Sequence, residues 1–164
     1  MSWILRLLAG LLLAERLLKH LAVVRFFRRP PAPAPRAPEL VSILQPILSG
    51  DPALAACLGR NLDARTGYAR EFIWLIDADD AAARAVCGAL AAARPGVRVQ
   101  IVELPPPPEH NPKLVKLIAG AALARGAIIC VLDDDTMLPD GGLEACLPHL
   151  ERPGVGLAFG LPYY

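Results

Sequence analysis

Three consecutive aspartates, Asp133, Asp134 and Asp135, follow an apolar run, Ala127-Ile128-Ile129-Cys130-Val131-Leu132. The run reads as a buried strand. Its carboxylates then stand at a strand C-terminus, where open α/β sheets bind ligands. In extended backbone, residues two apart point the same way, so Asp133 and Asp135 can face one divalent cation together. Carboxylate oxygens suit Mg²⁺ or Mn²⁺, ions that also take phosphate oxygens from a substrate. A solvated strand-to-loop turn is equally rich in Asp, and both readings stand on the triplet alone.

The elements that would position these acids alternate between strand and helix. Strands are expected at Leu40 to Leu44, Glu71 to Ile76 (ending at Asp77), Val97 to Val102, Ala127 to Leu132 and Val155 to Phe159. Asp51-Pro52 should open a helix, with Asp as cap and Pro at the first helical position; it carries Leu54, Cys57, Leu58 and Leu62. Asp79 or Asp80 caps an alanine-rich helix to about Arg94, Pro112 opens one to about Arg125, and Pro139 to Leu150 is a further helix. Pro105 to Pro108 form a rigid loop between them. Such alternation implies a mostly parallel sheet covered by helices on both faces, an α/β class. Asp77 and the triplet both fall at strand C-termini, above which ligands bind.

At 164 residues the chain suits one domain with a sizeable core. A net charge of +1 gives no reason to expect nucleic acid as a partner. The charge is uneven: between Met1 and Arg36, Arg6, Arg16, Lys19, Arg25, Arg28, Arg29 and Arg36 stand against Glu15 alone. A basic arm of this kind points to an anionic surface. Residues 1–29 read as a leucine-rich helix with a stripe of Leu7, Leu11, Ala14, Leu18 and Leu21, and with Glu15, Arg16, Lys19 and His20 on the other side. It would lie in a membrane interface more easily than cross it. Packing on its own domain or on a partner is the alternative, and a short spanning helix would leave the following domain cytoplasmic. Charges within the apolar stretch disfavour a signal peptide. Residues 30–39, with Pro30, Pro31, Pro33 and Pro35, form a stiff linker to the domain at 40–164. Cys57, Cys87, Cys130 and Cys146 have no metal-ligand spacing and read as buried thiols of a reducing compartment. His110 and His149 are isolated. There is no GxGxxG, P-loop, nucleophile elbow or HExxH.

Five stretches in order carry a resemblance: Val41-Ser42-Ile43-Leu44-Gln45-Pro46, Glu71 to Asp77, Asn111-Pro112-Lys113, Asp133-Asp134-Asp135 and Gly160-Leu161-Pro162-Tyr163. From about Leu40 to Tyr164 the chain resembles the N-terminal half of family 2-type glycosyltransferases of the GT-A, Rossmann-like fold. It is most similar to the ceramide glucosyltransferase group and its bacterial hopanoid-associated relatives. Gln45 departs from that pattern, where Lys is usual. The resemblance implies that Asp77 accepts a hydrogen bond from the uracil or ribose of a UDP-sugar. It implies that Asp133 and Asp135 hold Mg²⁺ or Mn²⁺ against the diphosphate, and that Lys113 adds positive charge there. It also implies a lipid acceptor, such as ceramide or a hopanoid-type lipid, and a place at the cytoplasmic face of the inner (plasma) membrane.

In such relatives a catalytic Asp and a Gln-x-x-Arg-Trp stretch lie beyond the counterpart of Tyr164. The chain therefore reads as a truncated product, a split first half needing a separate C-terminal half, or an incomplete sequence. Two functions follow: the donor-binding portion of a metal-dependent glycosyltransferase, or a nucleotide-sugar-binding module without transfer. A receiver-like phosphotransfer domain is a third, but its lysine would follow the acidic cluster, and Lys113 precedes it.

Overall fold

The computed structural model describes residues 3–28, 40–105 and 111–160. The expected linker at 30–39, most of the Pro105–Pro108 loop, His110 and the stretch after Gly160 lie outside the described residues. The chain divides into two units, Met1–Pro33 and Ala34–Tyr164.

The first unit contains one helix, α1 (Trp3–Phe27). The expected stripe does not make it two-sided. Leu5, Leu8, Leu12 and Leu13 lie outside the stripe and are exposed like Leu7, Leu11 and Leu18. Apolar side chains thus surround the helix, broken by Glu15, which pairs with Lys19 one turn on and with Arg16. Among the described residues no helix is long and apolar enough to cross a membrane.

The second unit is built on four parallel strands, β1 (Val41–Pro46), β2 (Arg70–Asp77), β3 (Arg98–Leu104) and β4 (Ile128–Val131), in the order β3-β2-β1-β4. β1 and most of β2 are buried on both sides, hence their mostly apolar character, with Ser42, Gln45 and Glu71 as the buried polar exceptions. Alternate side chains serve opposite faces. Val41, Ile43, Phe72, Trp74 and Ile76 belong to the larger core, with Leu54, Leu58 and Leu62 of α2 (Leu54–Asp63) and Ala83 and Cys87 of α3 (Ala81–Ala92). Leu44, Ile73 and Leu75 form the opposite face under α4 (Pro112–Leu123). Gly120 lets α4 lie close: a Cβ there would meet Leu75 Cδ1 at 2.8 Å and Leu44 Cδ2 at 3.1 Å.

A buried polar network pins the turn from α4 into β4. Ser42 Oγ donates to Glu71 Oε1 at 2.7 Å and accepts from Gly126 N at 2.8 Å. Arg125 donates to Glu71 through its backbone N and its guanidinium. Burial alone would raise the Glu71 carboxyl pKa; the Arg125 N–H, the Ser42 hydroxyl and the Arg125 guanidinium outweigh it and hold the group below the usual carboxylate range.

Three expected elements differ. α2 starts at Leu54, not at Asp51-Pro52, because Asp51 Oδ1 accepts from Ala53 N and its carbonyl from Leu54 N, forming a turn before the helix. The Pro139–Leu150 helix is only α5 (Gly142–Cys146) followed by a 3₁₀ turn (Leu147–Glu151). Gly141 has φ +74°, which an α-helix cannot include, and Pro148 lacks the N–H needed to continue α5. Val155–Phe159 is not a strand: Leu157 and Phe159 are 77% exposed. The sheet's outer strands, β3 and β4, each keep one unpaired edge, but among the described residues this run pairs with neither.

Candidate functional site

All four strands run parallel, so their C-terminal ends share one edge of the sheet. The residues after β1 meet a different side chain at each position. The Ile47 carbonyl accepts from Lys116 Nζ at 3.0 Å, Leu48 N donates to Asp134 Oδ2 at 2.9 Å, and Ser49 N donates to Asp80 Oδ2 at 2.9 Å. Asp80 also caps α3 through Ala83 N. Burial would raise the Asp80 pKa, but these N–H donors and the Lys116 charge hold it low.

Lys116 is the central cation. It is 2% exposed, and its Nζ lies 2.9 Å from Oδ2 of Asp77, itself 15% exposed. An ammonium has three donors, two of which go to Asp77 and Ile47. Asp77 Oδ1 is buried and has no hydrogen-bond partner among the described residues. A buried acceptor left unpaired costs about 1–3 kcal/mol, so Asp77 holds an unused acceptor at the end of β2.

Asn111 places the second cation. Its side chain accepts from Leu114 N at 3.3 Å and caps α4, with Pro112 in the first turn. Lys113 therefore sits one turn before Lys116 on the same face. Its Nζ reaches Asp133 Oδ1 at 2.6 Å. Lys113, Lys116 and the triplet line a cleft of about 140 Å³ with Pro46 and Leu48. Asp77 does not line it and joins the set only through Lys116. A larger concavity of about 620 Å³ lies at the opposite end of the strands, between Leu40, Arg70 and Arg98; it holds none of these acids.

The triplet does not continue β4 as expected. The strand ends at Val131, and Thr136 N donates to the Asp133 carbonyl at 3.1 Å, so Asp134 and Asp135 occupy a turn. The simple alternation that would aim Asp133 and Asp135 together therefore does not apply. Asp134 faces Leu48 N, and Asp135 accepts from Thr136 Oγ1 at 3.3 Å. Among the described residues no three Asp, Glu, His or Cys side chains form a ready metal cage. Mg²⁺ and Mn²⁺ do not need one, because one or two carboxylates plus substrate phosphates suffice. The donor set fits that kind of ion, and an ammonium already rests on Asp133.

Lys116 escaped the sequence reading. Its signal was the Lys113-x-x-Lys116 spacing, which puts both ammoniums on one helical face. Gln45 also matters: it is fully buried, accepts from Trp74 Nε1 at 2.9 Å and directs Nε2 to the Asp133 carbonyl at 3.5 Å. All four cysteines are free; Cys57 and Cys87 are buried, and Cys130 and Cys146 are partly so. Burial pushes the Cys87 thiol up to about 12 and, with Cys146 adding to it, Cys130 to about 11.

The fold is similar to that of a solved enzyme. The mannosyltransferase PcManGT from Pyrobaculum calidifontis, solved in complex with GDP-Man and Mn²⁺, superposes with a TM-score of 0.66 at 23% identity. The match covers 85% of this chain and 41% of that one, so this chain spans well under half of that protein's length. At this identity the likeness is one of fold. No curated protein sequence matches the chain. The profile of glycosyl transferase family 21 matches residues 2–164, and the chain belongs to that family.

Proposed function

We propose that the chain is the donor-binding portion of a glycosyltransferase that takes a UDP-sugar with Mn²⁺ or Mg²⁺ and serves a lipid acceptor such as ceramide or a hopanoid-type lipid. One observation carries the reading. The C-terminal edge of the sheet gathers two lysines, the aspartate triplet and an Asp77 with an unused acceptor into one connected set. Asp77 would accept from the uracil or ribose, held in place by Lys116. Asp133 and Asp135 would hold the metal, and Lys113 would face the diphosphate. A bound metal would stabilise the negative charge that grows on the departing diphosphate. The protein's own part is to fix the nucleotide and keep its phosphates against positive charge.

The exposed leucines of α1 and its basic end at Arg25 and Arg28 support placing the chain at the cytoplasmic face of a membrane. A second reading is binding without transfer, and it is favoured by the ion pairing of Asp77 to Lys116 and of Asp133 to Lys113.

Calorimetric titration of UDP and of GDP into the full chain, with and without Mn²⁺, tests the donor site. UDP should bind only with Mn²⁺, and the Asp133→Ala, Asp135→Ala double variant should lose that binding. A folded chain that binds neither nucleotide under either condition would sink the proposal. Turnover of a UDP-sugar with a lipid acceptor separates transfer from binding alone.

A further inference from the structure

Lys113 occupies the carboxylate that a metal would need. Its Nζ is 2.6 Å from Asp133 Oδ1, with the side chains 51% and 47% exposed. A half-exposed pair of this kind is easily exchanged, unlike the buried Lys116–Asp77 pair one turn along. The rest of the triplet offers little in its place. Asp134 accepts from Leu48 N and Asp135 from Thr136 Oγ1, and no three-ligand cage exists among the described residues. A divalent cation arriving alone meets too few oxygens and a competing ammonium.

A diphosphate would remove both obstacles. Its oxygens complete the coordination of a hard cation, and they offer Lys113 a more highly charged partner than Asp133. The exchange also suits the position of Lys113 in the first turn of α4, where a cation opposes the helix dipole and an adjacent anion offsets it.

We propose that Lys113 is a positioning residue that makes metal and diphosphate binding mutually dependent. It pairs with Asp133 before the ligands bind and moves to the diphosphate when the two ligands arrive together. The inference rests on the donor-site reading and adds to it a direction: the same lysine opposes the metal alone and favours the metal with nucleotide. Because coupling is reciprocal, Mn²⁺ must raise the affinity for UDP by the factor by which UDP raises that for Mn²⁺.

The test measures binding to the full chain, free Mn²⁺ by its paramagnetic resonance signal and UDP by calorimetry, each with and without the other. In Lys113→Gln, Mn²⁺ alone should bind about three- to tenfold more tightly, from loss of the competing charge. The factor by which UDP and Mn²⁺ strengthen each other should fall about tenfold or more. Lys113→Arg, which keeps the charge, should retain most of the coupling. Circular dichroism confirms that both variants are folded. Mn²⁺ binding to Lys113→Gln no tighter than to wild type, or an unchanged coupling factor, overturns the inference while leaving the donor site standing. Failure of wild type and variant alike to bind Mn²⁺ even with UDP removes the donor site and the inference with it.

Discussion

Replacing Lys116 with Met should be among the most damaging single changes in the second unit. The methionine keeps the length and apolar stem of the lysine and fills its space, so packing is nearly conserved and the charge is isolated as the variable. What remains is the Asp77 carboxylate, 15% exposed, with Oδ1 already unpartnered and Oδ2 newly so, and an unpaired Ile47 carbonyl. Breaking a buried pair from one side costs about 3–5 kcal/mol, because the surviving charge is left uncompensated. For a domain of this size that corresponds to roughly 10–20 °C in Tm. Adding Asp77→Asn removes the stranded charge. The double variant should therefore be more stable than Lys116→Met alone, a coupling of about 1–3 kcal/mol. Urea denaturation followed by far-UV circular dichroism reads both effects as midpoint shifts at constant m. The reasoning is refuted if Lys116→Met unfolds within about 1 kcal/mol of wild type, or if Asp77→Asn deepens the loss.

Other outcomes follow from features elsewhere. The folded Glu71 carboxyl lies below its ordinary value, so its contribution to stability is complete above about pH 4.5 and is lost as pH falls through the folded value; Glu71→Gln should be less stable than wild type at pH 7, with the gap closing in acid titrations. Gly126→Ala should destabilise by about 2 kcal/mol or more, since its Cβ would lie 2.4 Å from the Leu40 carbonyl and 2.8 Å from Ser42 N, backbone atoms that cannot rotate away; the midpoint of thermal melting reads it. Cys87 and Cys130, pushed up to about 12 and about 11, should resist thiol reagents at pH 8 in the native chain and react at once in urea.

β1 and β2 were legible because parallel strands buried on both sides are mostly apolar, as Ile43-Leu44 and Phe72 to Ile76 are; β4, expected to be buried, instead leaves Ile129 and Val131 about half exposed, and β3 likewise alternates with exposed residues. Asp77 and Asp133 stood out as the acids that end such runs. Other features depended on partners distant in sequence. Whether Val155–Phe159 pairs as a strand depends on the chain bringing it to the free edge of β3 or β4, and no local pattern encodes that. Asp134, set apart from Asp133 and Asp135 by alternation, had no role assigned until the Leu48 N–H, 86 residues earlier, gave it a structural task. The burial of Lys116 requires β1, β2 and α4 to meet at one point, which no local pattern encodes. The all-round leucines of α1 were visible, but selecting one stripe among them gave more polarity than the helix has.

The two tryptophans of the chain fall one to each unit, and this gives the protein two optical reporters. Trp3 on α1 is 74% exposed, whereas Trp74 on β2 is fully buried and donates its indole N–H to Gln45. An indole in an apolar core emits at shorter wavelength than one in water, so the two units contribute separable bands. In Trp3→Phe the remaining emission comes from a ring one side chain away from the Asp133 backbone. A ligand that shifts the turn after β4 changes the colour of that ring, while a surface that captures α1 alters only the band of Trp3.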